Sequence, residues 1–456
     1  MVELKTGGLW KRRKRWALVL MALLVVLGFV GWRFSASSGV KRQVAELKKH
    51  GLPTTAVELD RWYTNVPAVD NAALQFLEAF RAYNPPGRTN NPSEMKAEEM
   101  VVGQELPPKL AEAVEALVNK NGEAFELVHR AAALRRNRYP IDLTKGWTTL
   151  LPHLAQLKQL ALLMKWDAIR HSRMGNREAA LKSLRSGLAI AASLENEPLY
   201  ISAMVRIAII SIMVPALERV VTEHALTEEE LRGMVELFTT MEERGRRSLK
   251  RGLAGDRGGA IPMFDMNYRT FEAIMAGSTL PAAFDAMHPS LQFGFYELTR
   301  VTGLRDADLA FHLETMAEIE RALDLDYPEM LETAEEIQAR VNEEVAAHPI
   351  RYLLSAQILP AVAEGLRKEA TLVARLRCAR VALAVERYRL KHGGALPSSL
   401  KELVPEFLPQ VVENPMTGEA LSYEIISGGY RLVAEGVKDA EKKSDKADVD
   451  FTVMRK

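Results

Sequence analysis

Apolar positions along this chain recur mostly at helical intervals, and one run is apolar without interruption. From Trp16 to Trp32 the sequence WALVLMALLVVLGFVGW carries no charge. At a rise of ~1.5 Å per residue it spans roughly 25 Å, enough for a slightly thin bilayer core. Leu20, Leu24 and Leu27 lie inside the run, and Trp16 and Trp32 stand at its ends, where indoles prefer the headgroup layer. Lys11, Arg12, Arg13, Lys14 and Arg15 precede it, so the expected topology is a single pass with a cytoplasmic N-terminus and an extracytoplasmic body. A cleaved signal peptide fits less well: the run is long, and Trp32, Arg33 and Phe34 occupy the place of small cleavage-site residues.

Beyond the anchor, helical stripes dominate. A polar SASSG piece is followed by a basic helix over Val40–His50, and a second helix is expected over Asp70–Tyr83 until Asn84-Pro85-Pro86-Gly87 stops it. Pro107-Pro108 opens a helix expected from Lys109 to about Arg136. Leu154, Leu157, Ala161, Met164 and Ala168 share one stripe, and Leu181, Leu184, Leu188 and Ala191 share another, with Gly175-Asn176 between them. The words GNREAAL and LKSLRSGLAI resemble the second half of a tetratricopeptide repeat, with Ala180 and Gly187 as the small contact residues. A single copy occurs, so the resemblance implies a helical hairpin rather than an array.

Ile207–Leu217 is apolar all round and, at this length, reads as a core helix ended or kinked by Pro215. Thr227 with Glu228, Glu229 and Glu230 forms an N-terminal capping signal. Gly252–Asp265 reads as the least regular stretch of the chain. Helices follow over Asp306–Asp326, Tyr327–His348 and Pro360–Lys391, ended by His392-Gly393-Gly394. Period-2 alternation in LSYEII and YRLVAEG then predicts a hairpin across Ser427-Gly428-Gly429, with a further edge strand over Val449–Met454. The fold expected is mainly α, with a transmembrane helix, a helical-hairpin bundle and a small α+β module bearing a short antiparallel sheet. The segments are 1–35 (tail and anchor), 36–150 (juxtamembrane helices), 151–378 (helical hairpins) and 379–456 (α+β).

Charge and chemistry narrow the function classes. The 456-residue chain has a net charge of +1, and five basic residues are spent on the cytoplasmic tail. The remaining body is mildly acidic, which argues against a nucleic-acid partner. Cys378, the single cysteine, sits in an apolar helical pattern and reads as an inert buried thiol. The nine histidines form no metal-binding spacing, and His312 shares a helix, and potentially a face, with Glu320. GxSxG, Walker A and GxGxxG patterns are missing, and no catalytic residue or bound cofactor is indicated. Asp256, Arg257 and Asp265 in the Gly-bearing stretch form the candidate functional loop.

The C-terminal words YRLKHGGALPSSLKELVPEFLP, NPMTGEALSYEI, GYRLVAEGVKD and DVDF resemble the periplasmic part of type II secretion major pseudopilins. The resemblance implies a long helix on a small antiparallel sheet and a C-terminal acidic loop holding Ca²⁺. Asp439, Asp445, Asp448 and Asp450 are the oxygen ligands available here, with lysines interleaved. The remainder resembles bacterial families of membrane-anchored helical proteins, which implies architecture and location. The functional expectation is therefore an inner-membrane protein touching lipid through residues 16–32 and an unidentified envelope protein through its body, acting as an interaction or scaffold protein. The alternatives are a component associated with a type II secretion or pilus-like apparatus and an envelope hydrolase with a site near Asp256.

Overall fold

The run from Trp16 and the basic stretch after it belong to one helix. α1 (Gly7–Lys49) is unbroken over 43 residues, about 65 Å long at ~1.5 Å per residue. The computed structural model describes residues 7–87, 91–94, 102–275, 282–436 and 448–455. Trp16, Leu20, Leu24 and Leu27 are all exposed, so this stretch of α1 stands clear of the body. The polar SASSG piece does not interrupt the helix, because the body packs along it. Ala36 is buried, and a Cβ on Gly39 would lie 3.5 Å from Ala310. Trp32 is tied to protein: its Nε1 donates to the Thr302 carbonyl at 3.1 Å, and the Arg351 guanidinium lies 4.7 Å from its ring. Arg33 pairs with Asp306 one turn further on.

Four short helices follow: α2 (Ala56–Trp62), α3 (Ala72–Arg81), α4 (Pro108–Asn119) and α5 (Gly122–Ala132). The single helix expected from Lys109 is thus two. Buried Asn121 breaks it by turning its side chain to backbone, donating to the Leu117 carbonyl at 2.7 Å and accepting from Asn84 N at 2.8 Å. α6 (Pro152–Arg173) and α7 (Arg177–Ala192) fold back on each other across Gly175, whose φ of 74° favours glycine. At their crossing a Cβ on Gly187 would lie 3.3 Å from Met164 Cβ of α6, so the small residue sets how closely the helices approach.

α8 (Tyr200–Glu223) is longer than the core helix expected, and it runs straight through Pro215. Proline removes one backbone hydrogen bond, but Ile209, Ile210, Met213, Ala216 and Leu217 are buried around it. Each buried aliphatic side chain contributes about 1.5–3 kcal/mol, which outweighs the missing bond. α8 and α1 are the two described helices long and apolar enough to cross a membrane, and 61% of the apolar window of α8 is buried inside the body. α9 (Glu228–Gly259) starts at Thr227 with a complete capping box to Glu230.

α10 (Tyr268–Met275), α11 (Ala282–Asp285), α12 (Pro289–Thr302), α13 (Leu304–Ala322) and α14 (Glu329–Ala347) complete the side nearest α1. α15 (Ser355–Lys391) then crosses the whole body and passes through position 378/379 without a break. β1 (Ser422–Ile426), β2 (Gly429–Ala434) and β3 (Val449–Met454) form an antiparallel sheet in that order, with Ile426 opposite Gly429 and Leu432 opposite Phe451. Tyr430, Leu432, Phe451 and Val453 are buried against the helices, and β3 is capped by α8, where Glu218 accepts from Thr452 N at 2.6 Å. One apolar core joins Phe76, Leu160, Leu217, Leu383 and Phe451, crossing positions 150/151 and 378/379.

Candidate ligand pocket

The stretch Gly252–Gly259, expected as an irregular connection, is the last two turns of α9. Its glycines serve packing. A Cβ on Gly252 would meet the Leu199 carbonyl oxygen at 2.8 Å, one on Gly255 the Pro198 oxygen at 2.1 Å, and one on Gly258 the Pro53 oxygen at 1.7 Å. Two backbone segments therefore lie directly on α9, at distances no side chain would permit. This stacking places Asp256 beneath the first turn of α8, where its carboxylate accepts from Tyr200 N at 3.2 Å. Tyr200 in turn donates its hydroxyl to the Val362 carbonyl of α15 at 2.7 Å. Asp256 is half-buried, and the loss of water around its carboxyl pushes its pKa up to about 7, only partly opposed by the bond from Tyr200.

Asp256, Arg257 and Asp265 do not converge. Arg257 projects from a different side of α9, donating to Glu320 of α13 at 3.1 Å and to Gln43 of α1 at 3.3 Å. Asp265, in the short 3₁₀ turn Ile261–Asp265, is exposed and pairs with Arg300 at 2.7 Å. A helix separates side chains that a loop could gather, since successive positions point about 100° apart. Arg257 nonetheless links three elements, because the same guanidinium touches α1 and α13.

His312 is what the fold adds to Asp256. Both line one cavity of about 290 Å³ between α2, α8, α9, α13 and α15. The remaining wall is largely apolar, including Leu59, Leu143, Leu199, Met316 and Val362. Trp147 and Ile201 line it as well and are themselves exposed. The wall formed by residues 143–151 turns at Gly146, whose φ of 56° and ψ of −132° suit glycine. His312 is buried, and neither Nδ1 nor Nε2 has a hydrogen-bond partner. Burial, helped by the Arg257 charge, drives its pKa down to about 3, so the ring is neutral. Unpaired buried polar atoms of this kind cost roughly 1–3 kcal/mol and are uncommon.

A second buried network supports the cavity wall. Glu197 receives Ser202 Oγ, Tyr63 OH at 3.3 Å and His153 Nε2 at 3.0 Å, and Tyr139 stacks on His153 at 4.5 Å. These bonds hold α2, α6 and the 195–202 corner that carries Leu199 and Tyr200. His312 was visible in the sequence only as a neighbour of Glu320; nothing local marks its meeting with Asp256 across the cavity.

The acidic C-terminal residues stand elsewhere. Asp439 and Asp445 lie outside the described residues. Asp448 accepts from Gly436 N at 2.9 Å, and Asp450 pairs with Arg431 at 3.2 Å. Among the described residues no group of three metal-ligating side chains occurs. No protein family, curated protein or solved structure matches this chain.

Proposed function

We propose that this protein is a membrane-anchored interaction protein whose body binds a small, uncharged, largely apolar molecule carrying a hydroxyl or amide group. In this reading α1 spans the inner membrane, the basic cluster at residues 11–15 stays in the cytoplasm, and the body works outside. The observation that carries the binding reading is His312, a buried neutral imidazole whose two nitrogens lack partners and whose side chain lines the same apolar cavity as Asp256. A neutral imidazole offers one donor and one acceptor, and an Asp256 carboxyl that keeps its proton offers a further donor. A hydroxyl or amide complements that set, whereas a carboxylate would lose its water beside Asp256 without a counter-charge. The volume lies at the lower end of the ~300–1,000 Å³ of small-molecule sites, which favours a compact ligand.

Catalysis has less support. Asp256 is the one carboxylate among the residues lining the cavity, whereas glycoside hydrolysis needs two at roughly 5–9.5 Å. The test uses the full chain in phosphatidylcholine nanodiscs and follows its melting with cyclohexanol or cyclohexanecarboxylate added. Cyclohexanol is expected to raise the melting temperature saturably, as a ligand of the folded state must, and the carboxylate is not. His312→Phe, which keeps ring shape and removes both nitrogens, is expected to abolish the response. Equal responses in wild type and His312→Phe, or none in the wild type, would overturn the proposal.

A further inference from the structure

α12 carries a surface that the rest of the body does not use. Leu291, Gly294, Leu298 and Val301 follow one another at helical intervals along one stripe of the helix. Leu291, Leu298 and Val301 are 63%, 54% and 67% exposed. The helix cannot roll to hide them, because its opposite face is pinned. Tyr296 and Thr299 are buried, Arg305 donates to the Tyr296 carbonyl at 2.9 Å and to Thr299 Oγ1 at 3.0 Å, and Tyr296 stacks on Phe271 at 4.5 Å. The charged residues of α12 stay off the stripe: Arg300 pairs with Asp265, and Glu297 lies 3.9 Å from Arg305.

The end of α12 is fastened to α1 where the exposed apolar run gives way to body contacts. Thr302 accepts the Trp32 indole, and a Cβ on Gly303 would lie 2.9 Å from Arg33 Cδ. Val301 thus stands one residue from the Trp32 contact. Val30 and Phe34, on either side of Trp32, are exposed as well. The apolar surface of α1 therefore passes onto α12. An amphipathic helix with an uncharged apolar stripe, fixed beside a membrane span, has the chemistry of an interfacial helix.

We infer that α12 lies on the bilayer with Leu291, Leu298 and Val301 in the headgroup–acyl boundary, a second lipid contact that sets the tilt of the body on the membrane. This rests on α1 being the membrane span, and the experiment separates the two. The full chain is reconstituted in phosphatidylcholine vesicles with a single cysteine added by Leu298→Cys, Val301→Cys, Arg300→Cys or Leu24→Cys; native Cys378 is buried and stays unlabelled. A fluorophore on each is challenged with spin-labelled lipid and with aqueous iodide. Labels at 24, 298 and 301 are expected to be quenched several-fold more by the lipid than the label at 300, and to be shielded from iodide. Lipid quenching at 24 with iodide quenching at 298 and 301 would overturn the inference and leave the anchor intact. Lipid quenching at none of the four would overturn both. Shielding of 298 and 301 from both quenchers would assign the stripe to protein and likewise overturn the inference.

Discussion

Asparagine at position 256 would keep the shape of the carboxyl group and its acceptor for Tyr200 N while removing its proton. Burial raises the native pKa from 3.8 to about 7. Between those values the folded chain holds a proton that the unfolded chain has released, so stability falls as pH rises through the window and is flat outside it. The gap from 3.8 to about 7 corresponds to roughly 4 kcal/mol of stability lost once both states are ionised. Asp308 and Glu218 are also pushed up to about 7 and titrate over the same range, so the slope of the wild type alone does not identify Asp256. The difference between wild type and Asp256→Asn does. Urea unfolding of both chains in mild detergent, from pH 4 to pH 8, is expected to show the variant gaining on the wild type by roughly 4 kcal/mol, most of it below pH 7. A difference that stays constant across this range would mean that Asp256 is ionised in the folded chain and that burial does not raise its pKa.

Two further substitutions probe the packing that builds the pocket. Gly255→Ala places a methyl group 2.1 Å from the Pro198 carbonyl oxygen, so overpacking is expected to cost about 1–3 kcal/mol despite the better helix propensity of alanine; an unchanged or raised melting temperature would contradict the close helix contact. Arg257→Met leaves Glu320 largely buried without its partner and is expected to cost about 3 kcal/mol or more, whereas Asp265→Asn removes one exposed ion pair and is expected to cost under about 1 kcal/mol in the same melting assay. Equal losses would contradict the contrast between the buried Arg257–Glu320 pair and the exposed Asp265–Arg300 pair.

The parts of this architecture that were readable in the sequence are those decided locally. The stripe Leu154–Leu157–Ala161–Met164 became the buried face of α6, Thr227 capped α9 with Glu230, and the alternation around Tyr423 and Tyr430 became a hairpin. Where structure and sequence pattern differ, tertiary packing is the reason. Gly252, Gly255 and Gly258 cost a helix only ~1 kcal/mol each, a preference that close packing readily overrides. Pro215 and the SASSG piece do not break their helices for the same reason: Pro215 sits in a buried helix, and the body packs along one side of SASSG at Ala36 and Gly39. The pocket itself is half visible in the sequence. The Gly-bearing stretch points to Asp256, but its companion is not Arg257 or Asp265. It is His312, brought across the cavity by the packing of α13 near α9, which no spacing along one helix encodes.

Melting of the full chain in nanodiscs decides whether the cavity lined by Asp256 and His312 is a binding site. Cyclohexanol is expected to stabilise the wild-type chain saturably and to leave His312→Phe unmoved. The same stabilisation in both chains, or none in the wild type, would contradict it.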